Sequence, residues 1–290
     1  MKFLIYGAGA VGCYIGVQLC HAGHDVVLIT RPNLAEQISQ RGLTLVTPSG
    51  VSFTEHLVAV SSLRQGLLLG EEHPFDYMFL TMKAYDIPDA LNELLAFCPQ
   101  DPPVMVTVQN GIGTEEKLSE HYPEEIILPG SFTVPVSFRA DGSVHEERDD
   151  CGFAISTMSG RIPADLVNAL NEAGINTTAI KNYQSMKWSK LLVNSMGNAT
   201  AAIVNRPPDV LYKYKPIFKL EMRMVKEIQE VMDKMGVSVI DLPGASTKKL
   251  MTAIRWVPDG LLQSQLAKQV SKGRGDKLPS FQVDLNAGKR

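Results

Sequence analysis

The sequence predicts an α/β fold in which an N-terminal domain built on a parallel sheet precedes a mostly helical domain. Three observations predict it. Within the first 30 residues, a short apolar strand runs into a glycine-rich turn, a helix and a second strand. Two later apolar strands end at polar residues and are each followed by a helical pattern, which is typical of a doubly wound sheet. Helical periodicity then dominates from residue 181, and 290 residues is near the length at which a single core stops growing.

The first strand is KFLIY, residues 2–6, and it opens directly into a turn and a helix. The turn has the sequence GAGAVG, formed by Gly7, Ala8, Gly9, Ala10, Val11 and Gly12. A GxGxxG pattern alone also fits an ordinary turn, but between a strand and a helix it predicts a Rossmann-type dinucleotide site. There Gly7 would permit the tight turn, Gly9 the approach of a pyrophosphate and Gly12 the packing of helix on strand. The helix N-terminus would supply amides and partial positive charge for the phosphates.

The end of the second strand, DVVLIT at residues 25–30, indicates which dinucleotide binds. An NAD site usually places Asp or Glu there to bond the ribose 2′-hydroxyl. This sequence has Thr30-Arg31 instead. The planar guanidinium of Arg31 can pair with a 2′-phosphate, and a solvated loop arginine is the alternative interpretation. The sequence therefore predicts NADPH as the cofactor.

The remaining elements of the first domain follow from alternation, helical spacing and turn residues. They are a hairpin at 43–60 that turns at Pro48-Ser49-Gly50, strands at 75–81 and 103–108, helices at 88–97 and 114–122, antiparallel edge strands within 127–157, a helix at 162–172 and a last strand at 175–180. We place the domain boundary near Lys181. This gives an NADP-binding domain at 1–180 and a helical substrate and catalytic domain at 181–290.

Two polar residues follow strands of the predicted sheet. Lys83 comes after the strand at 75–81, and Asn110 comes after the strand at 103–108. In a doubly wound sheet, ligands lie outside the carboxyl ends of the strands, so both residues are placed to contact the cofactor or the substrate. The alternatives are a surface lysine and an Asn-Gly turn selected for its backbone angles.

The second domain opens with KWSKLLVNSMGNATAAIVN, residues 187–205, which predicts a helix buried nearly all round. Lys190, Asn194 and Asn198 recur at intervals of four, so on a helix they share one face. A positioned ammonium can stabilise charge that develops on a ketone oxygen and deliver a proton, while amides orient polar groups. The alternative is a structural network of buried Asn and Lys that ties helices together. Further helices are predicted at 216–235, 247–256 and 259–272.

Composition limits the partners. The 28 Lys and Arg against 31 Asp and Glu give a net charge of −3, which offers no electrostatic reason to bind nucleic acid or an anionic membrane. The apolar N-terminus could pass for a signal peptide, but glycines interrupt it, and no apolar run long enough to span a membrane follows. The four cysteines lack metal-ligand spacing, so we predict reduced thiols, no metal and a cytoplasmic protein. Exposed helices of the second domain could form a homodimer interface.

Several separate motifs agree with one family. The chain resembles ketopantoate reductase (2-dehydropantoate 2-reductase) in GAGAVG, the arginine after the second strand, MKAYD, QNGIG, KWSKLLVNSMGN and PSFQVD, in this order over essentially the whole chain. The resemblance implies a Rossmann domain joined to a helical domain, with the site in the cleft between them. It implies roles for individual residues as well: a catalytic lysine at Lys190, substrate contacts at Asn194, Asn198 and Ser280, a nicotinamide–substrate junction at Lys83 and Asn110, and a 2′-phosphate contact at Arg31.

The activity implied by the resemblance is the NADPH-dependent reduction of 2-dehydropantoate to pantoate, a step toward coenzyme A. One departure bears on it. The family pattern continues beyond Ser280 and Asp284 to a Thr-Glu pair and a further helix, whereas this chain stops at Lys289-Arg290. The expectation is that the family's C-terminal end is missing, and with it one substrate-binding carboxylate. Two alternatives stay open: a paralogous reductase of another 2-oxo acid, and a non-catalytic dinucleotide-binding protein.

Overall fold

The structure is a computed structural model, and it describes residues 1–98, 100–274, 279–286 and 288. The chain divides into two compact units. The first comprises Met1–Lys187 and Pro243–Ala245, and the second comprises Trp188–Leu242 and Ser246–Arg290. The division at Lys187 falls later than the predicted boundary at residue 180, because the first turns of a helix that continues into the second unit pack with the first.

Among the residues that the structure describes, all strands lie in the first unit. They are β1 (Lys2–Tyr6), β2 (Asp25–Ile29), β3 (Leu43–Val46), β4 (Ser52–Glu55), β5 (Val58–Val60), β6 (Tyr77–Leu80), β7 (Val104–Thr107), β8 (Ile127–Phe132), β9 (Val136–Phe138), β10 (Val144–Glu146), β11 (Phe153–Ile155) and β12 (Thr177–Ala179).

Six helices of the first unit connect these strands. They are α1 (Ala10–His21), α2 (Pro32–Arg41), α3 (Leu63–Leu68), α4 (Ile87–Phe97), α5 (Thr114–Ser119) and α6 (Ala164–Glu172). A seventh helix, α7 (Tyr183–Ser195), begins in the first unit and ends in the second. The helices that follow are α8 (Ala199–Val204), α9 (Pro208–Leu211), α10 (Lys215–Met235), α11 (Thr247–Trp256), α12 (Asp259–Arg274) and α13 (Ser280–Asn286).

The main sheet has eight strands in the order β12-β11-β8-β7-β6-β1-β2-β5. Its pairs are parallel except for β8 with β11, which are antiparallel. In the register of the central strands, Tyr6 lies opposite both Ile29 and Leu80. The carboxyl ends of β1, β2 and β6 therefore lie side by side at one edge of the sheet. The predicted fold class, a parallel-sheet domain followed by a helical domain, is confirmed.

The main sheet is buried on both faces. Successive residues of β1 alternate between two cores: Phe3 and Ile5 pack with α1 and α6, whereas Leu4 packs with α3, α4 and α5. Because both faces are covered, the strands read as continuous apolar runs, which is the pattern expected for parallel strands.

A second sheet changes two of the predictions. It has four strands in the order β4-β3-β10-β9. The segment 43–60 was predicted as one hairpin, but only β3 and β4 form it, and β5 leaves to pair in parallel with β2. The segment 127–157 was predicted as antiparallel edge strands, and this is confirmed in part, because β11 pairs antiparallel with β8 and β10 pairs antiparallel with β9. However, β8 also extends the main sheet in parallel with β7, and β9 and β10 belong to the smaller sheet. Pairing between distant segments overrides local alternation in both cases.

The second unit is helical. Its core is formed by buried side chains from α7 to α12, which include Leu192, Phe218, Val225, Met251 and Leu262. The long helix α10 ends at Gly236 as predicted, since that residue adopts φ +69°. The N–H of Gly236 donates to the Asp233 carbonyl, and the N–H of Val237 donates to the Met232 carbonyl. Within the described ranges, no helix is long and apolar enough to cross a membrane.

The sequence predicted one continuous helix at 187–205, whereas the structure has two helices there. Helix α7 ends at Ser195, a turn follows, and α8 begins at Ala199. The turn contains Gly197 at φ +69°, a left-handed conformation that favours glycine and ends an α-helix. The predicted all-round burial is also wrong at the far end, because Ile203 is 82% exposed.

Candidate functional site

The glycine turn packs closely against Thr81 and Met82, which follow β6. Gly7 adopts φ +108°, and a Cβ atom placed on it would lie 2.6 Å from the backbone nitrogen of Met82. A Cβ atom on Gly12 would lie 2.5 Å from the carbonyl oxygen of Gly7 and 2.6 Å from Oγ1 of Thr81. The Thr81 hydroxyl also donates to the Gly7 carbonyl at 2.5 Å. The fold itself therefore requires glycine at positions 7 and 12.

Gly9 is different. It occupies the N-cap of α1 with ordinary extended angles, and an added Cβ would meet no protein atom within 4 Å. No steric contact within the protein therefore requires a glycine there. The first turn of α1 contains no acidic residue, and no side chain caps it, so no carboxylate there neutralises the partial positive charge of the helix N-terminus. These features fit a bound pyrophosphate. Ala8, Ala10 and Val11 complete the turn.

Arg31 lies immediately after β2, exposed, at the N-cap of α2. Strand β2 is the direct neighbour of β1, so Arg31 and the glycine turn follow adjacent strand ends. Residues 28–33 contain no carboxylate that could bond a ribose hydroxyl. This position is compatible with a contact between Arg31 and a 2′-phosphate, and that contact stays a prediction.

The loops that carry Lys83 and Asn110 are held together. Both residues are exposed and follow the neighbouring strands β6 and β7. The buried side chain of Gln109 joins the two loops, because its Nε2 donates to the carbonyl oxygens of Leu80 at 2.7 Å and Met82 at 3.0 Å. The backbone on either side of Lys83 and Asn110 is therefore fixed relative to the end of the sheet. Their contacts with cofactor and substrate stay predictions.

The fully buried lysine of α7 is Lys187, which the sequence analysis did not single out. Its Nζ is 2.9 Å from Oε1 of Glu115 and donates to the Gln109 carbonyl at 2.8 Å. The side chains of Lys187 and Glu115 are 3% and 1% exposed. Thr107 donates to the same Glu115 oxygen at 2.5 Å. No periodicity links residues 115 and 187, so their pairing becomes visible only in three dimensions.

Lys190, Asn194 and Asn198 all lie in the second unit. Lys190 and Asn194 are half-buried and one turn apart on α7, as predicted. Asn198 does not lie on that helix. It is the buried N-cap residue of α8, and its Nδ2 donates to the Asn194 carbonyl at 2.6 Å. The structure thus keeps Asn194 and Asn198 together through a hydrogen bond across the turn, where the sequence predicted a shared helix face.

A buried carboxylate borders this turn and was also missed. Glu221 of α10 is fully buried and accepts hydrogen bonds from Gly197, Thr200 and Tyr212. The sequence carries a signal for it, since Glu221 lies four residues from both Ile217 and Val225, within the apolar stripe of the helix, where a charged residue is unusual.

Ser280 begins α13, but its side chain lies outside the described part of the structure, as do Lys289 and Arg290. The predicted substrate contact of Ser280 therefore stays a prediction. Among the described residues, no group of His, Cys, Asp or Glu side chains is arranged to hold a metal ion.

Three of the four thiols are poorly suited to act as nucleophiles. Burial raises the pKa of Cys13 to about 12. Burial, followed by the charge of Glu55, raises the pKa of Cys20, and burial beside Asp101 raises the pKa of Cys98. A thiol whose pKa is raised holds its proton at neutral pH and is a weak nucleophile.

Comparison with known families covers nearly all of the chain. A family model described as ketopantoate reductase PanE/ApbA matches residues 3–156. The C-terminal model of the same description matches residues 182–290. The two together include the glycine turn, both units and the Lys190 segment.

Similar individual proteins carry more than one name. An uncharacterized oxidoreductase of Bacillus subtilis, YkpB, is 25% identical over 98% of this chain and 91% of its own length. A 2-dehydropantoate 2-reductase of Pyrococcus horikoshii is 30% identical over 78% of this chain and 72% of its own. The crystal structure of a PanE/ApbA family ketopantoate reductase from Ralstonia eutropha matches with a TM-score of 0.79 at 24% identity, covering 100% of this chain and 87% of that one. D-mandelate dehydrogenase with NADH matches with a TM-score of 0.74 at 20% identity, covering 99% and 86%.

Proposed function

The chain belongs to the ketopantoate reductase PanE/ApbA family, a family of oxidoreductases, and from this premise we propose that it reduces 2-dehydropantoate to pantoate with NADPH. The observation that carries the proposal is the half-buried Lys190, one turn from Asn194, at the start of a segment that has no other charge up to Asn205. An ammonium in such surroundings can stabilise the charge that develops on a ketone oxygen and donate the proton.

The proposed chemistry is the transfer of a hydride and a proton to a ketone. Bound NADPH would supply a hydride to the carbonyl carbon of the 2-oxo acid. Lys190 stabilises the negative charge that develops on the carbonyl oxygen and delivers the proton that completes the alcohol. The amides of Asn110, Asn194 and Asn198, with the hydroxyl of Ser280, orient the polar groups of the substrate. Lys83 would contact the bound cofactor and substrate where the nicotinamide meets the substrate.

NADPH rather than NADH is the proposed cofactor because of Arg31. We expect the unmutated protein to bind NADPH more tightly than NADH, and Arg31→Ala to remove most of that preference. A hydrogen bond to a charged group contributes about 1.5–3 kcal/mol, which corresponds to roughly a ten- to a hundredfold difference in Kd. Titration of both nucleotides against both proteins measures this. The matched control is Arg41→Ala, at the opposite end of α2. Equal affinities for the two nucleotides in the unmutated protein would contradict the assignment.

A second candidate is a reductase of another 2-oxo acid. Two observations favour keeping it. The Bacillus subtilis relative, which covers 98% of this chain, is named only as an oxidoreductase. D-mandelate dehydrogenase shares the fold and is seen with NADH, so the fold alone determines neither the acid nor the nucleotide. A non-catalytic dinucleotide-binding protein is less well supported, because it would need the open glycine turn but no proton donor.

One experiment separates these candidates. The purified protein is given NADPH and a panel of 2-oxo acids that includes 2-dehydropantoate and phenylglyoxylate, and loss of nicotinamide absorbance is followed. The proposal expects the highest kcat/KM for 2-dehydropantoate. A higher value for another acid supports the second candidate. Tight NADPH binding without turnover of any acid supports the third.

We further propose that the protein is a cytoplasmic homodimer. All four cysteines are free, as expected in a reducing compartment. Helices of the second unit expose large apolar side chains, among them Ile203, Trp256 and Leu261. Light scattering on the purified protein tests the dimer, and a monomer at micromolar concentration would contradict it.

A further inference from the structure

We propose that Glu221 is a positioning residue for the reaction: it holds the turn between α7 and α8 and thereby fixes Asn198 for the substrate. This inference rests on the proposed function, in which Asn198 contacts the 2-oxo acid. Glu221 itself touches no predicted substrate group, so its effect passes through the turn.

Glu221 is an unusual side chain. It lies on α10 with no solvent exposure, although an ionised carboxylate loses much favourable hydration when it is buried. Both of its oxygens lie 3.0 Å from the backbone nitrogen of Gly197. The hydroxyl of Thr200 donates to Oε1 and that of Tyr212 to Oε2. These donors are uncharged, so the carboxylate is stabilised by directed hydrogen bonds that only one arrangement of the chain provides.

Two of the three donor residues flank Asn198 in the chain. Gly197 precedes Asn198 and Thr200 follows it by two residues, so the carboxylate is bonded on both sides of the asparagine. The left-handed angles of Gly197 leave its N–H outside the hydrogen-bond pattern of a helix, and Glu221 is the acceptor for it. Asn198 then reaches back to the Asn194 carbonyl at 2.6 Å. Without Glu221, the turn would lose the contact that fixes its backbone.

A merely structural role makes a different prediction. If Glu221 only stabilises the helical unit, then its replacement lowers the melting temperature and affects activity regardless of what stands at position 198. If it acts through Asn198, its replacement has no further effect once the Asn198 side chain is gone. A double-mutant cycle separates the two cases, because residues that act through each other give non-additive effects.

The test uses the full chain with Glu221→Gln, Asn198→Ala, the double variant and a control, Glu230→Gln, which changes an exposed glutamate on the same helix. Glutamine keeps the shape of the side chain but replaces one acceptor oxygen with a donor that opposes the donors pointing at it. We expect Glu221→Gln to lower kcat/KM for the 2-oxo acid about 10- to 100-fold, the range expected for a misplaced contact group. NADPH affinity should stay within about twofold, and Glu230→Gln should match the parent.

The double variant should be no worse than Asn198→Ala alone, within about twofold. Amide hydrogen exchange at residues 196–198 should be faster in Glu221→Gln than in the parent and unchanged in Glu230→Gln. If Glu221→Gln does not fold, Tyr212→Phe removes one donor, leaves the carboxylate in place and should give a smaller effect of the same kind. Additive losses in the cycle, or unchanged exchange at the turn, would overturn the proposal.

Failure of the proposed function would look different. A parent protein that reduces no 2-oxo acid at all refutes that function. The exchange measurement then decides about Glu221 by itself: faster exchange at 196–198 supports it as the residue that holds the turn, and unchanged exchange refutes it.

Discussion

Two lysines three residues apart on α7 differ in how deeply they are buried. Lys187 is buried and pairs with Glu115, whereas Lys190 is half-buried in the segment that carries the two asparagines. Buried charges in proteins are normally paired, so full burial indicates a structural lysine, and partial burial beside amides suits a proton donor. The two residues should therefore respond to mutation in different ways.

Replacement of Lys190 should affect chemistry. We expect Lys190→Ala to lower kcat by about 10²–10⁴-fold, the range for a lost general acid, with NADPH affinity and melting temperature nearly unchanged. Single-turnover kinetics, nucleotide titration and thermal unfolding measure the three quantities. Parallel losses of stability and cofactor affinity would instead make Lys190 a structural residue.

Replacement of Lys187 should affect stability. Lys187→Met leaves the Glu115 carboxylate buried without its partner, and breaking a buried pair costs about 3–5 kcal/mol. Chemical denaturation measures the free energy of unfolding. The control is the double variant Lys187→Met/Glu115→Leu, which removes both charges and should recover most of the loss. A single variant as stable as the parent would show that the pair contributes nothing to the fold.

At the scale of the element, the glycine turn combines two requirements that the GxGxxG pattern does not distinguish. Gly7 and Gly12 are needed by the protein, since a Cβ at either would collide with backbone or side-chain atoms, whereas Gly9 faces open space. No contact within the protein requires a glycine at position 9, where we predict that the pyrophosphate binds.

Substitutions in this turn should therefore separate stability from binding. Gly9→Ala should leave the melting temperature close to that of the parent while weakening NADPH binding at least about tenfold, because the methyl group occupies the space of the pyrophosphate. Gly12→Ala should lower the melting temperature, since forcing extra atoms into a packed site costs about 1–3 kcal/mol. Thermal unfolding without nucleotide and NADPH titration give the comparison. Unchanged NADPH affinity in Gly9→Ala would mean that no pyrophosphate binds at this turn.

At the scale of the whole molecule, the two units should respond differently to cofactor. The predicted dinucleotide contacts lie within the first unit, and a ligand present at 100 times its Kd stabilises the state that binds it by about 2.7 kcal/mol. We expect NADPH to slow hydrogen exchange in the glycine turn and α1 while leaving α10 unchanged. Mass spectrometry of peptides from both regions tests this. Protection confined to α10 would place the nucleotide in the wrong unit for this proposal.

The sequence by itself determined the elements whose signals are local. The strand, glycine turn and helix at the N-terminus were predictable because chain geometry, turn conformation and side-chain periodicity within some 20 residues specify them. The same holds for α11 at 247–256 and for Gly236, whose left-handed angles end α10. The positions of Arg31, Lys83 and Asn110 at strand ends followed from the same reasoning.

Tertiary structure decided which segments pair and which charged groups are buried. Strand β5 leaves its hairpin for the main sheet, and the helix predicted at 187–205 breaks at Gly197. Lys187 meets Glu115, and Glu221 becomes a buried carboxylate that organises the turn before Asn198. Periodicity reports only which face of an element is apolar, whereas strand pairing and the partners of a buried charge depend on segments far away in the chain. Those contacts exist only once the chain has folded, which is why the sequence did not reveal them.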